Sequence, residues 1–413
     1  MSAATELCAF LDASPSPFHV VASAESRCVA AGVPVHDFTD VDVAVFKEAT
    51  GAIKRDGSLM AWSWPNSTLR NDAVIFGAHT DSPGLRLKPH PETRSAGFDL
   101  LEVEIYGGAL LNSWLDRDLG LAGIVQTSDG RSQLIKINEP LARVPQLAIH
   151  LDREVNEKGL VLNRQTHMRP VWSTSQGDFA SLIGHAAGSE DILATNLVLF
   201  DVQPAALIGS DESMIASGRI DNQVSCWAAL TALLAGGHDR PVVVALFDHE
   251  EVGSDSTTGA AGPMLEIVLG QLVAARSTST NWFDFVRSST CVSIDNAHAL
   301  HPNYPERHDP HHAPLINHGP ALKTNANQRY ATSARGASWI KHAAMTAGLP
   351  LQEFVSNNAM PCGSTIGPIT ATRLGIETVD LGIPQLSMHS ARELCGVKDV
   401  AILRDLLVSL SRG

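Results

Sequence analysis

Two adjacent glutamates, Glu250 and Glu251, follow an apolar stretch in the segment DHEEVGSDS and are the first candidates for chemistry. Neighbouring carboxylates repel each other and are costly to remove from water unless a cation neutralises them. Because adjacent side chains point in different directions, one carboxylate can bind a metal while the other faces a water molecule. Glutamate pairs are also common on protein surfaces, so the motif alone favours a solvated turn.

Two histidines and three aspartates have patterns that suit the same chemistry: His79 and Asp81 in HTDSPG, Asp221 in SGRIDNQ, Asp295 in VSIDNAH, and His389 in LSMHSARE. A carboxylate near a ligating histidine can hold its second ring nitrogen, and Asp81 is suitably spaced for this. Taken singly, each has a structural explanation, such as a turn, a helix N-cap or a hydrogen-bonded core histidine. Together with one glutamate, two histidines and two aspartates predict a site for two cations that share a bridging carboxylate.

Short apolar runs precede most of these residues and predict the strands of an α/β fold. The runs lie at residues 73–77, 241–247, 291–294 and 377–381. Helical patterns lie at residues 223–234, 337–347 and 364–374. This alternation predicts a mostly parallel sheet flanked by helices, whose strands are buried on both faces. The candidate residues follow the carboxyl ends of the strands, where open α/β sheets place their ligand sites.

The segment from residue 90 to 205 has a different pattern. LLEVEIYGG, SQLIKIN and ILATNLVLFDV alternate apolar and polar residues, with a turn at Asp129 and Gly130. The alternation predicts an antiparallel, β-rich domain inserted into a discontinuous catalytic domain of residues 1–89 and 206–413. Two domains also agree with a chain of 413 residues. We expect the inserted domain to mediate assembly or to form a lid.

Composition restricts the partners and the compartment. A formal charge of −14 argues against nucleic acid, since phosphate binding needs a basic surface. No segment has the ~20 apolar residues of a membrane helix, and the N-terminus predicts an amphipathic helix and not a signal peptide. Six scattered cysteines favour reduced thiols, so we expect a soluble cytoplasmic protein. An acidic substrate would need a local cation to overcome the negative charge.

Motifs along nearly the whole chain closely resemble those of the M18 metallopeptidases, the aspartyl aminopeptidases. The matching segments are HTDSPG (79–84), GGALLNSWLDRDL (107–119), LAIHLDR (147–153), DN (221–222), DHEEVGS (248–254), DNAHALHPNY (295–304), NQRYA (327–331), PCGSTIGP (361–368) and MHSARE (388–393). They occur in the family's order, so the resemblance is specific. It implies a zinc-peptidase α/β domain with a β-rich assembly domain.

The resemblance also implies metal-site roles for individual residues. His79, Asp221 and Asp295 would hold one divalent ion, and Asp221, Glu251 and His389 a second, with Asp221 bridging. Glu250 would be the general base that takes a proton from the bridging water, and Asp81 would orient His79. Zinc is the expected metal, although this ligand set also accepts cobalt or manganese.

Four further residues match substrate-binding positions of the family. Lys323 would pair with the acidic side chain of the substrate, and His298 and Tyr330 would line the pocket. His150 would reach the active site of a neighbouring subunit from the inserted domain. The resemblance therefore implies an aminopeptidase that prefers peptides with N-terminal Asp or Glu and assembles into a homo-dodecamer.

Besides the acidic aminopeptidase, the sequence leaves two other classes of function open. A broader aminopeptidase or a deacylase-type amidohydrolase would use the same ligands, and Lys323 is the residue that separates these from an acidic specificity. A non-catalytic scaffold is the third possibility, against which the intact Glu250 argues. The histidine-rich segment 301–318 is interpreted as a solvated loop, and Cys362 as a residue without a base partner.

Overall fold

The computed structural model describes residues 1–65, 72–276 and 281–412. Its strands are β1 (Val35–Asp37), β2 (Thr50–Arg55), β3 (Ser58–Ser63), β4 (Val74–His79), β5 (Gly84–Ser95), β6 (Phe98–Tyr106), β7 (Leu119–Thr127), β8 (Ser132–Ala142), β9 (Val171–Ser173), β10 (Ile192–Asp201), β11 (Ala206–Ile208), β12 (Met214–Ser217), β13 (Val242–Phe247), β14 (Thr290–Ile294), β15 (Ala297–His298), β16 (Ala321–Lys323), β17 (Gln352–Phe354), β18 (Glu377–Gly382), β19 (Pro384–Leu386) and β20 (Glu393–Gly396). Its α-helices are α1 (Ala3–Ala13), α2 (Pro17–Ala30), α3 (Val155–Lys158), α4 (Phe179–Ala187), α5 (Ile220–Leu234), α6 (Met264–Arg276), α7 (Trp282–Ser288), α8 (Ala334–Ala347), α9 (Ile366–Leu374) and α10 (Val397–Ser411).

A nine-stranded sheet forms the centre of the larger unit, with strand order β1-β2-β3-β13-β4-β14-β18-β16-β17. Its four middle strands, β13, β4, β14 and β18, are mutually parallel. Their carboxyl ends therefore meet at one edge, which is the edge that the candidate residues follow in sequence. Antiparallel strands β3 and β16 flank this parallel centre.

The apolar runs of these strands are continuous because both faces of the sheet are covered. In β13, Val242, Val244 and Leu246 belong to a core shared with α1, α5 and α10. The alternate residues of the same strand, Val243, Ala245 and Phe247, pack with α6 and α9 on the other face. A strand buried on both faces has no solvent side to alternate with, which is the pattern the sequence showed.

Three predicted helices of this unit are present, and local capping explains where two of them begin. The hydroxyl of Thr365 accepts the N–H of Gly367 at the start of α9, and Ser333 accepts the N–H of Gly336 at the start of α8. Helix α5 begins at Ile220, but Asp221 and Asn222 have non-helical backbone angles, and the peptide bond between them is cis. Asp221 therefore lies at an irregular helix entrance and not within a regular turn.

The second unit is an antiparallel six-stranded sheet with strand order β8-β7-β10-β5-β6-β9. It has its own apolar core, to which Leu121, Trp114 and Phe179 contribute. Its first strand, β5, begins at Gly84, so the boundary predicted at residue 90 falls inside a strand. The sequence pattern did not reveal the start of β5, because GLRL continues directly from the turn that follows His79.

A third, five-stranded sheet has the strand order β11-β12-β20-β19-β15 and lies next to the edge at which the candidate residues follow the parallel strands. Strand β12 pairs with β20, and their register sets Ser217 opposite Glu393. This pairing brings the chain segment that leads into α5 beside the segment that follows His389. The predicted α/β class with a large, centrally parallel sheet and an additional β-rich unit is confirmed. No helix in the described ranges is long and apolar enough to span a bilayer.

Candidate active site

The strand pair β4–β13 brings His79 close to the two glutamates. The parallel register places His79 opposite Phe247, and the N–H of Thr80 donates to the carbonyl of Phe247 at 2.7 Å. Beyond Phe247 the chain turns through His249, which has a positive φ of 63°, into a short 3₁₀ turn that carries Glu250 and Glu251. Both glutamates thus lie at the edge where β4 ends.

The neighbouring elements supply the remaining acids. Strand β14 ends at Ile294, and the N–H of the next residue, Asp295, donates to the carbonyl of Leu381 in β18. The entrance of α5 supplies Asp221, which is held there by Asn296 through a bond to the carbonyl of Ile220. The parallel strands therefore fix the backbone of Asp295, and the irregular helix entrance turns Asp221 toward the same edge.

One triplet of possible ligands consists of His79, Asp221 and Asp295. The Nε2 atom of His79 lies 3.5 Å from Oδ1 of Asp221 and 3.8 Å from Oδ1 of Asp295. All three side chains are buried. The Nδ1–H group of His79 donates to the carbonyl oxygen of Asp81 at 3.0 Å, so that Nε2 faces the acids.

A second triplet consists of Asp221, Glu251 and His389. The Nε2 atom of His389 lies 3.7 Å from Oδ2 of Asp221 and 3.4 Å from Oε1 of Glu251. Since Oδ1 of Asp221 faces His79 and Oδ2 faces His389, this carboxylate lies between the two histidines. These are the two triplets that the family resemblance implies, and Asp221 belongs to both.

Glu250 lies beside both triplets, with Oε2 3.9 Å from Nε2 of His79. His79, Glu250 and Glu251 also form a third group that is close enough to share an ion. The proximity of Glu250 to His79 is compatible with the general-base role that the resemblance implies for it. Its side chain is 15% exposed and so remains reachable from the cleft.

Asp81 makes more contacts than the sequence indicated. Its carboxylate lies 3.3 Å from Nδ1 of His79, a distance compatible with the predicted role of orienting that ring. The same carboxylate accepts the backbone N–H groups of Glu250 and Glu251 at 3.1 and 3.0 Å, and the hydroxyl of Tyr106 at 2.8 Å. Asp81 therefore fixes the turn that carries both glutamates as well as the histidine.

The β-rich unit reaches the site through its segment Tyr106 to Gly108. The carbonyl of Gly108 accepts a hydrogen bond from Nδ1–H of His389 at 3.2 Å, so that Nε2 of His389 faces Glu251. Gly107 has a φ of +65°, and a Cβ atom on it would lie 3.0 Å from Cβ of Glu251. Both the backbone conformation and the close approach favour glycine here.

The donor set fits divalent cations. Burial raises the pKa of Glu250 to about 9 and that of Glu251 to about 7, because buried carboxylates resist ionisation. Burial lowers the pKa of His389, but the hydrogen bond and charge of Glu251, together with the charges of Asp221 and Glu393, outweigh it, and the pKa rises to about 10. The Oδ1 atom of Asp221 is buried without a hydrogen-bond partner. Cations at this edge would neutralise the acids and satisfy that oxygen.

An open cleft with about 1160 Å³ of empty space contains both triplets and extends to Lys323 and Tyr330. Lys323 is buried, and its Nζ lies 3.1 Å from the carbonyl oxygen of Asn296 and 3.6 Å from Oδ2 of Asp295. The same ammonium lies 4.8 Å from the ring centre of Tyr330. His298 lines the cleft nearby. Three predicted substrate residues are therefore adjacent, and Lys323 is also paired with a candidate metal ligand.

His150 lies elsewhere, exposed in the loop between β8 and α3, and is not among the residues that line the cleft. Within one chain it does not meet the other predicted site residues. The histidine-rich segment 301–318 contributes to none of the ligand groups found among the described residues.

Comparison with known proteins identifies the family. The model for aminopeptidase I zinc metalloproteases (M18) matches residues 10–409. A probable M18 family aminopeptidase 2 of Streptomyces coelicolor is 48% identical over 422 residues, which cover 98% of this chain and 96% of the relative. The chain belongs to the M18 aminopeptidase family.

Solved structures share the fold. The chain is similar to one in a cryo-EM structure of the Ape4 and Nbr1 complex, with a TM-score of 0.91, 34% identity, and coverage of 98% of this chain and 85% of that one. It is also similar to the S. cerevisiae mApe1 dodecamer, with a TM-score of 0.85, 26% identity, and coverage of 98% and 95%. The family to which the chain belongs consists of metalloproteases that act as aminopeptidases.

Tyr106, Gly108 and Glu393 are site contacts to which the sequence assigned no role. Tyr106 and Gly108 act through a hydroxyl and a carbonyl supplied by another unit, which local patterns do not reveal. Glu393 accepts the N–H groups of Asp221 and His389. The signal for all three was their presence within or next to the quoted motifs GGALLNSWLDRDL and MHSARE.

Metal binding should release protons and tighten as the pH rises from 6 to 8. The raised pKa values of Glu250, about 9, and His389, about 10, mean that protons occupy the metal-free site at neutral pH and must leave when a cation binds. Calorimetric zinc titrations in buffers of different ionisation enthalpy measure this release. His389→Ala should release fewer protons than the control variant His342→Ala, which replaces an exposed histidine. Equal proton release by both variants would contradict the assignment of His389 as a metal ligand.

Proposed function

We propose that this M18 protein is a two-metal aminopeptidase that removes N-terminal residues from peptides, with a preference for Asp and Glu. The observation that carries the proposal is the central position of Asp221, whose two oxygens face His79 and His389 in two ligand triplets. Glu250 lies beside them at the same open cleft.

Asp221 would bridge two ions, with His79 and Asp295 completing one ligand set and Glu251 and His389 the other. Zinc is the proposed metal because the family model describes zinc metalloproteases, and cobalt or manganese would fit the same donors. When bound, the ions would act as Lewis acids that lower the pKa of water and polarise the scissile carbonyl.

Glu250 is the proposed general base. Its backbone is fixed by Asp81, and its carboxylate has no role in either proposed ligand triplet. Burial raises its pKa to about 9, and a neighbouring cation would lower that pKa toward neutrality, where proton transfer in both directions is efficient. Glu250 would accept a proton from water and return it to the departing amine.

Glu250→Gln should reduce kcat by about 10²- to 10⁴-fold, because the amide cannot accept the proton. The ion content, measured by elemental analysis, should remain that of the wild type. Glu306→Gln is the matched control, since the Glu306 side chain is 66% exposed. A folded Glu250→Gln enzyme that keeps its metals and normal turnover would remove Glu250 from the mechanism.

Lys323 is the proposed determinant of acidic specificity. It is the only lysine or arginine among the described residues that line the cleft, and its ammonium is shielded from bulk water. At an effective dielectric near ~20, one ammonium attracts a substrate carboxylate by a few kcal/mol, enough to oppose the net charge of −14. The contact between Lys323 and Asp295 favours a second candidate, a broader aminopeptidase in which Lys323 serves the metal ligand alone.

Lys323→Met should lower the kcat/KM ratio for Asp over Leu substrates by about 10- to 100-fold, because the attraction to the acidic side chain is lost. A panel of Asp, Glu, Leu and N-blocked Asp fluorogenic substrates measures the ratio. Lys341→Met removes an exposed lysine and should leave the ratio unchanged. An intact preference in Lys323→Met would favour the broader specificity.

The β-rich unit, predicted as residues 90–205, is proposed to assemble the chain into a homo-oligomer; the similar mApe1 is a dodecamer. The segments on either side of α3 expose Leu147, Leu151 and Val161, whose exposed fractions are 63%, 73% and 85%. An exposed apolar cluster on a folded protein marks an interaction surface. His150 would enter a cleft only from another copy. Six unpaired cysteines agree with a cytoplasmic location.

Leu151→Asp should lower the molar mass measured by light scattering, because a charge would be buried at the interface. Activity should fall as well if a neighbouring copy completes the cleft, while metal content stays intact. Leu315→Asp is the control, because Leu315 is also an exposed leucine but lies outside the β-rich unit. An unchanged mass in Leu151→Asp would remove this loop from the proposed interface.

A further inference from the structure

Glu393 is a buried carboxylate to which the proposed mechanism gives no role. It is the first residue of β20, is 2% exposed, and lies next to Asp221 and His389 of the second triplet. A buried carboxylate is costly unless its oxygens accept hydrogen bonds. Its partners therefore indicate what it is for.

The two oxygens of Glu393 hold the backbones of two proposed ligands. Oε2 accepts the N–H of Asp221 at 3.0 Å, and Oε1 accepts the N–H of His389 at 2.7 Å. The side-chain amide of Gln385 donates to Oε1 as well, at 3.3 Å. One side chain therefore spans the entrance of α5 and the turn before β20, which are distant in sequence.

Both segments need such a restraint. His389 has a positive φ of 68°, and Asp221 has non-helical angles inside a helix, so neither is fixed by regular secondary structure. Hydrogen bonds to a carboxylate are stronger than those to a neutral acceptor, and a carboxylate accepts at both oxygens without presenting a donor. Gln at position 393 would turn an N–H₂ group toward one of the two backbone N–H groups.

Asp81 repeats the arrangement on the other side of the site. Its carboxylate accepts the N–H groups of Glu250 and Glu251, as that of Glu393 accepts those of Asp221 and His389. Each carboxylate thus holds two neighbouring site residues by their main chain. Supporting residues of this kind commonly change metal affinity by 10- to 100-fold when they are replaced.

We infer that Glu393 is a positioning residue for the second proposed ion, because it holds Asp221 and His389 at the separation that this ion needs. The inference rests on the proposed two-metal function. Glu393 touches neither substrate nor ion, so its contribution is to metal affinity and site geometry.

The test is a cobalt titration of the full-length protein, followed by visible absorption and by equilibrium dialysis. Glu393→Gln and Glu393→Asp are compared with wild type; Asp keeps the charge but is one methylene too short to reach both N–H groups. Both variants should bind one ion as wild type does and the second about 10- to 100-fold more weakly. Their one-ion spectrum should match that of His389→Ala.

Asp399→Asn is the matched control. Asp399 is also fully buried, and its carboxylate accepts two backbone N–H groups, those of Asn317 and Gly319, at 2.6 and 2.7 Å. Neither partner lines the cleft. Asp399→Asn should lower the thermal midpoint to a similar extent yet retain both ions with wild-type affinity and spectrum.

Wild-type affinity for both ions in folded Glu393→Gln or Glu393→Asp would overturn the inference. Loss of the second ion in Asp399→Asn to the same extent would overturn it too, since general destabilisation would then explain the effect. If Glu393→Gln does not fold, Glu393→Asp carries the test. Failure of wild type to bind two ions would instead overturn the proposed function, so the two failures are distinguishable.

Discussion

The site depends on one electrostatic constraint: several carboxylates converge on Asp221 at a buried edge of the sheet. Three acids of the triplets and Glu250 lie within reach of two histidines, and burial, together with the neighbouring carboxylates, raises the pKa of the glutamates. Such a group of acids is stable only when positive charge compensates it. Protonated histidines supply some of that charge, and the family's zinc would supply the rest.

The rest of the fold keeps these groups together despite their repulsion. Parallel strands bring His79, Asp295 and the glutamate turn to one edge, and both faces of the sheet are sealed by apolar cores. Main-chain hydrogen bonds to Asp81 and Glu393 then fix the residues that strands cannot reach. Rigid support on all sides matters because small displacements alter both metal affinity and reactivity.

Much of this could be predicted from the sequence because the determinants are local. The run VVVALF predicts a strand buried on both faces, and the acids that follow it must lie at a strand end. What the sequence could not give are contacts between distant segments. The bonds of Glu393 to Asp221 and His389 need the β12–β20 pairing, and the contact of Lys323 with Asp295 needs the order of β14, β18 and β16. His150 shows the same limit, because the role proposed for it in a neighbouring subunit would leave no local sequence pattern.

The contact between Gly108 and His389 has a thermodynamic consequence. The histidine belongs to the catalytic unit, whereas the carbonyl that sets its tautomer belongs to the segment that leaves the β-rich sheet. Docking of the β-rich unit therefore preorganises Nε2 of His389, and occupation of that nitrogen must favour docking by the same free energy, because such coupling is reciprocal. A contact that strains or stabilises the β-rich unit therefore changes the affinity at Nε2 of His389, even when the contact is distant from the cleft.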